Sequence, residues 1–157
     1  NRVLVEIEAL RQSISCGDDQ WEAEVVAAFH RLSKAEESFK EPTAENTAHW
    51  EDRNRAFHHA LISACPSRWL KQFTAILYQQ SERYRRVLMH SLGPNAGEGK
   101  VEWLRQKTEH NEIFRAVLER DTDRAVQLLT DHISYPIQDF EKLAGALDGG
   151  RPEIAKE

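Results

Sequence analysis

The chain has 157 residues, with 40% hydrophobic and 30% charged side chains and a net charge of −5, the profile of one folded domain of ordinary size rather than a disordered segment. That balance argues against a nucleic-acid binder: the densest basic run, Arg83 with Arg85 and Arg86, is short and flanked by Glu82. No apolar run approaches the roughly 20 residues of a membrane span and no signal-peptide pattern is present, so no membrane partner is expected. Cys16 and Cys65 fit no CxxC pattern and read as reduced thiols, which places the chain in the cytoplasm.

The first helix is predicted over about residues 2–15, with Val3, Ile7, Leu10 and Ile14 on one stripe and Gly17 beyond it. Asp18 or Asp19 caps a second helix carrying Trp21, Val25, Ala28, Phe29 and Leu32. Pro42 breaks the pattern, and Thr43 caps a third helix running to about Ala64 with Trp50, Asn54, Phe57, His58 and Leu61. A fourth, from about Ser67 to Leu92, shows Trp69, Leu70, Phe73, Ile76, Leu77, Tyr84, Val87 and Leu88. The glycine-rich stretch from Gly93 to Gly99 is the clearest loop. The fifth helix, about Lys100 to Arg120, bears Trp103, Leu104, His110, Ile113, Phe114, Val117 and Leu118. Asp121 caps the sixth, with Ala125, Leu128, Leu129, His132, Ile133, Ile137, Phe140 and Leu143. No stretch alternates with a period of two, so no strand is expected. The expected fold is all-α, an antiparallel bundle of about six helices over residues 1–147, with a polar flexible tail over 148–157.

Polar groups interrupt these apolar stripes. Asn54 and His58 stand one turn apart on the third helix, in line with Leu61 and Ile62. His110 falls at heptad spacing between Trp103 and Val117, and His132 lies with Leu128, Leu129 and Ile133. His30, His49, His59 and His90 sit off the stripes or near helix ends. A lone histidine on an apolar face is commonly a hydrogen-bonded core residue. Three on separate helices of one bundle make a shared cation the competing reading, because facing helices build metal sites from inward side chains. Three imidazoles with one amide oxygen suit a divalent transition metal, Zn or Ni foremost, with positions left open. Cys65, about 10 Å along the axis from His58, is too far to share it and reads as packing. Pro136 lacks the amide that would bond the carbonyl of residue 132, so it either bends the helix at His132 or merely kinks a terminal helix. Gln80 and Arg83 fall on the fourth helix's expected inner stripe. There Arg83 suggests recognition of a carboxylate, or else pairs an acid of the chain or snorkels outward. Arg85 and Arg86 read as a solvated face. Trp21, Trp50, Trp69 and Trp103 read as core or interface.

Taken as an ordered set, Arg2-Val-Leu-Val-Glu6, Asn54-Arg-Ala-Phe57-His58-His59-Ala-Leu61, Ser81-Glu-Arg83-Tyr84-Arg-Arg86, Glu109-His110-Asn-Glu-Ile113 with Ala116 and Asp121, and Ala125 through His132 resemble the C-terminal FCD domain of GntR-family transcriptional regulators, in the FadR subgroup. The resemblance reaches to about Leu143. It implies an all-helical, dimerising domain that binds a small carboxylate effector in the bundle core, with DNA bound through an upstream winged-helix domain outside this chain. It further implies a divalent metal held at Asn54, His58, His110 and His132. The family most often has Asp at the first position, so Asn54 is a departure that offers an oxygen without charge. The function expected is therefore effector sensing rather than catalysis. The rivals are a metal-dependent hydrolase, for which Glu109 lies about 100° from His110 and is poorly phased as a base, and a metal-free helical interaction module.

Overall fold

A computed structural model describes the backbone of residues 1–91 and 97–148 and the side chains of residues 1–86 and 102–135. Six helices make up its regular structure: α1 (Arg2–Cys16), α2 (Asp19–Ser38), α3 (Ala44–Ile62), α4 (Arg68–Ser91), α5 (Gly97–Leu118) and α6 (Thr122–Asp148). No strand occurs among the described residues, as the absence of two-residue alternation predicts.

Local chemistry sets the helix ends. Asp18 accepts from the Trp21 amide at 3.0 Å and Thr43 from the Asn46 amide at 3.1 Å, so α2 and α3 begin at the predicted caps. Ser67 and Asp121 do the same for Leu70 and Arg124, at 3.3 and 3.2 Å. Between α1 and α2 the chain closes tightly. A Cβ on Gly17 would lie 2.1 Å from the Trp21 ring, so this position admits no side chain. After α5, Arg120 takes a φ of 56°, with its amide bonded to the Val117 carbonyl and that of Asp121 to the Ala116 carbonyl, both at 3.0 Å. This is the Schellman pattern, usually made by glycine. The Arg120 guanidinium instead reaches the end of α1, donating to the carbonyls of Ile14 (2.7 Å) and Gly17 (2.8 Å) and to Glu22.

Two boundaries differ from expectation. α5 starts at Gly97 rather than Lys100, because glycine tolerates helical geometry as well as loop geometry. α6 runs unbroken through Pro136 to Asp148, beyond the last apolar residue of its stripe. His90's side chain, residues 92–96 of the expected loop and residues 149–157 of the expected tail lie outside the described residues.

The hairpin pairs α2–α3 and α5–α6 pack on themselves and on each other through α2 and α5, while α1 lies against α3, α4 and α6. Leu10, Leu32, Trp50, Phe57, Leu61, Ile113, Val117 and Leu129 form the fully buried centre. Phe29 stacks on Phe114 with centroids 4.0 Å apart and tilts against Phe57 at 5.7 Å. Phe57 in turn meets the rings of His58 and His110 edge-on, at 6.0 and 5.8 Å. The aromatic core therefore ends on imidazoles.

Candidate metal centre

His58 on α3, His110 on α5 and His132 on α6 meet in the bundle interior, one ligand atom from each lying within 4.8 Å of the others. Their ring centroids are 4.6 to 6.1 Å apart. Each ring is held from behind by a carboxylate. Nδ1 of His58 bonds Glu6 Oε1 at 2.7 Å, Nδ1 of His110 bonds Glu36 Oε1 at 2.6 Å, and Nδ1 of His132 bonds Glu109 Oε2 at 2.7 Å. A neutral imidazole donating through Nδ1 presents Nε2 as its acceptor, so the carboxylates fix both tautomer and orientation. Burial, against the pull of Glu6, lowers the His58 pKa to about 4, and burial with His110 and His58 nearby drives that of His132 well below its ordinary value. Both rings are therefore neutral at pH 7, the state that binds metal. Burial alone pushes the Glu6 carboxyl up, but Arg2 and His58 outweigh it and hold it at about 2.

Whether these residues suit a cation is decided by their unmet bonds. His110 Nε2 and Asn54 Oδ1 are both buried without a hydrogen-bond partner. Each such orphan costs about 1–3 kcal/mol, and a cation taking both lone pairs would remove the cost. Asn54 stands one turn before His58, its Nδ2 donating to Tyr78 Oη at 2.7 Å. The amide is thereby turned so that its oxygen is left over. Three imidazoles, each backed by a carboxylate, together with an amide oxygen fit a divalent transition metal. Among the described residues no other group of histidine, cysteine and carboxylate side chains has this arrangement. Cys65 is buried and bonded to Gln12, which agrees with a packing role.

The α4 expectation is corrected. Gln80 and Arg83 are exposed, and Arg85, expected to be solvated, is buried. The inward line of α4 runs through Leu70, Thr74, Tyr78, Ser81 and Arg85, whereas Trp69, Phe73, Ile76 and Tyr84 are 45–62% exposed. Following the apolar residues thus selects the outer face. Inside, Arg85 forms a bidentate ion pair with Glu51 of α3 and lies over the Tyr78 ring at 4.1 Å. Ser81 accepts from Arg85 (2.6 Å) and from Arg2 (3.1 Å), and Arg2 bonds Glu6 at 2.9 Å. The polar wall beside His58 is therefore built by Arg2, Tyr78 and Arg85. On its far side, a groove of about 800 Å³ between α2, α3 and α4 reaches His58, Tyr78 and Thr74.

A family model described as the FCD domain matches residues 1–135. The chain belongs to the FCD domain family. This FCD domain is 43% identical over 138 residues to the HTH-type transcriptional regulator BphR of Paraburkholderia xenovorans LB400, covering 87% of the chain and 52% of that protein. It is 34% identical over 137 residues to the HTH-type transcriptional repressor GlaR of Escherichia coli K12, covering 87% of the chain and 59% of the repressor. The chain thus spans a little over half the length of these relatives. A crystal structure of a GntR-family transcriptional regulator from Pseudomonas syringae pv. tomato DC3000 superposes with a TM-score of 0.71 at 21% identity, over 95% of this chain and 56% of that one, which shows a shared all-helical fold.

Residue reasoning brought together His58, His110, His132 and Asn54, but missed Glu6, Glu36 and Glu109 as their partners. Glu109 came nearest: its offset from His110 is real, and the structure uses it to grip His132 from one turn of α5 while Arg105 holds its other oxygen. Glu6 and Glu36 each fall on the buried face of their helix. A carboxylate within an apolar stripe was the signal available, the same one that singled out the histidines.

Proposed function

We propose that this FCD domain is the effector-sensing and dimerisation part of a GntR-family, FadR-subgroup regulator of transcription, whose DNA is bound by a winged-helix domain outside the chain. The observation that carries the reading is the triad of histidines, each backed by a carboxylate from another helix, with His110 Nε2 and Asn54 Oδ1 buried and without a hydrogen-bond partner. Asn54, His58, His110 and His132 would hold a divalent transition metal, Zn or Ni. When bound, the ion supplies Lewis-acid anchorage for a small carboxylate effector. Glu6, Glu36 and Glu109 keep the imidazoles aimed, and the groove reaching His58 and Tyr78 gives a path for the effector. The effector then biases the placement of the DNA-binding domains to the extent that it binds two bundle arrangements differently.

A homodimer is supported by the exposed apolar stripe Trp69, Phe73 and Ile76 on α4, an arrangement that marks interaction surfaces. No helix among the described residues is long and apolar enough to cross a membrane, which accords with a cytoplasmic regulator. The relatives are named as transcriptional regulators, which favours sensing over hydrolysis. Elemental analysis of protein purified without chelator should find about one divalent ion per chain. A thermal-shift screen of small carboxylates should then give stabilisation that vanishes on chelation. Absence of metal, or carboxylate binding indifferent to the chelator, would overturn the proposal.

A further inference from the structure

A second polar site lies away from the histidine triad, in a crevice of about 340 Å³ between the second half of α2 and the first half of α3. His30, Lys34 and Ser38 follow one another at four-residue spacing on α2, with Arg31 beside them, and His49 and Arg53 stand one turn apart on α3. Three cations and two imidazoles thus converge in a chain whose net charge is −5, and no carboxylate lines the crevice. Among the described residues neither Arg31 nor Arg53 has a carboxylate within ion-pair distance. Lys34 has Glu37 at 3.3 Å, but both side chains are more than half exposed, so water competes effectively for that pair. Like charges gathered in one crevice repel one another, and an anion seated among them relieves that repulsion.

We propose that this crevice binds a small phosphate-bearing anion. Two guanidinium forks, one ammonium and two imidazole nitrogens offer more donors than the two oxygens of a carboxylate can use, whereas a phosphate group presents three or four oxygens and up to two charges. The site is concave and confined to one cluster, while the rest of the chain is acidic. Duplex DNA, which needs an extended basic stripe, fits it poorly. The crevice shares Arg31 with the groove that reaches His58, while its other lining residues lie outside that groove and outside the metal centre.

Titration of the chain with inorganic phosphate, at constant ionic strength and after chelation of metal, should give saturable amide shifts centred on residues 30–38 and 49–53. Arg31→Gln combined with Arg53→Gln should weaken binding by about tenfold or more, and Lys34→Gln by less, with far-UV circular dichroism unchanged because these side chains are exposed or half-buried. His110→Ala should leave phosphate binding intact. Absence of saturable shifts, binding lost on chelation or in His110→Ala, or binding retained in the double arginine variant would overturn the assignment. A 20-bp duplex that shifts the same amides where inorganic phosphate does not would reassign the crevice to nucleic-acid backbone and overturn it equally.

Discussion

Glu36→Gln is the sharpest test of the carboxylate-backed centre. Glu36 is buried on α2, and among the described residues its hydrogen bond is to Nδ1 of His110 at 2.6 Å. Glu6 is less clean, since it also holds Arg2. Glutamine keeps the volume and one acceptor oxygen, so the His110 ring stays in place. What is lost is the negative charge that makes Nε2 a stronger donor to a metal. Removing such backing lowers metal affinity by about 10–100-fold, or about 1.4–2.8 kcal/mol. The metal-free protein should behave differently. There the exchange replaces a buried carboxyl held by one hydrogen bond with a neutral amide of the same shape, so stability should be nearly unchanged or slightly higher. For a domain of this size each kcal/mol moves Tm by about 2–4 °C, so calorimetry separates the two effects. The assay is competition for Zn against a chromophoric chelator, with calorimetry on metal-free and metal-loaded samples. Equal Zn affinity in variant and wild type, or an equal Tm loss with and without Zn, would refute the role given to Glu36.

The other expectations concern protonation, Asn54 and α4. In metal-free protein His58 titrates at about 4 instead of 6.5, so between those values the unfolded chain binds more protons than the folded one; stability is full above about pH 6.5 and declines as pH falls towards 4. Glu6, at about 2 instead of 4.5, adds a second decline below about pH 4.5. A Tm constant between pH 7 and 4 would show that His58 is not buried in neutral form. Asn54→Asp gives the orphaned oxygen a charge. Because charge-assisted contacts are roughly twice as strong as neutral ones, metal affinity should rise about five- to tenfold in the chelator competition, and unchanged affinity would remove residue 54 from the ligand set. Arg85→Ala strands the buried carboxylate of Glu51 and should cost about 3–5 kcal/mol in urea unfolding. Arg83→Ala should stay within about 0.5 kcal/mol, and the reverse ranking would contradict the orientation of α4.

The sequence made the fold legible because, among the described residues, five of the helices bury most of the stripe their periodicity marks. Leu10, Val25, Leu32, Phe57, Leu61, Ile113, Val117, Leu129 and Ile133 are all buried where the pattern puts them. α4 broke the rule for a physical reason: it carries two stripes. Trp69, Phe73 and Ile76 are the more hydrophobic, yet they face outward, while the line carrying Thr74, Tyr78, Ser81 and Arg85 faces in. Hydrophobicity alone cannot order two such faces when the inner one is polar by need, since Arg85 faces Glu51 and Tyr78 faces Asn54 across the interface. The candidate site was legible as far as its histidines, because imidazoles on apolar stripes stand out within one helix. Their carboxylate partners were not, since the pairing of Glu6 with His58 and of Glu36 with His110 spans 52 and 74 residues of chain.

Those long-range pairs explain why a ligand of modest size could act on the whole bundle. Glu6–His58 joins α1 to α3, Glu36–His110 joins α2 to α5, and Glu109–His132 joins α5 to α6. α4 reaches the same point through Tyr78 and Asn54. All six helices therefore have a side chain in, or one bond removed from, the space between the three imidazoles. Interiors are close-packed, so a ring that shifts there cannot relax without moving the carboxylate bonded behind it. Each carboxylate is buried or half-buried on its own helix, and the displacement passes to that helix. Arg2 carries the contact on from Glu6 to the first turn of α1, and through Ser81 to α4. A change at the imidazoles thus reaches the start of α1 through two bonded contacts, His58 to Glu6 and Glu6 to Arg2, with no requirement for a path through the apolar core.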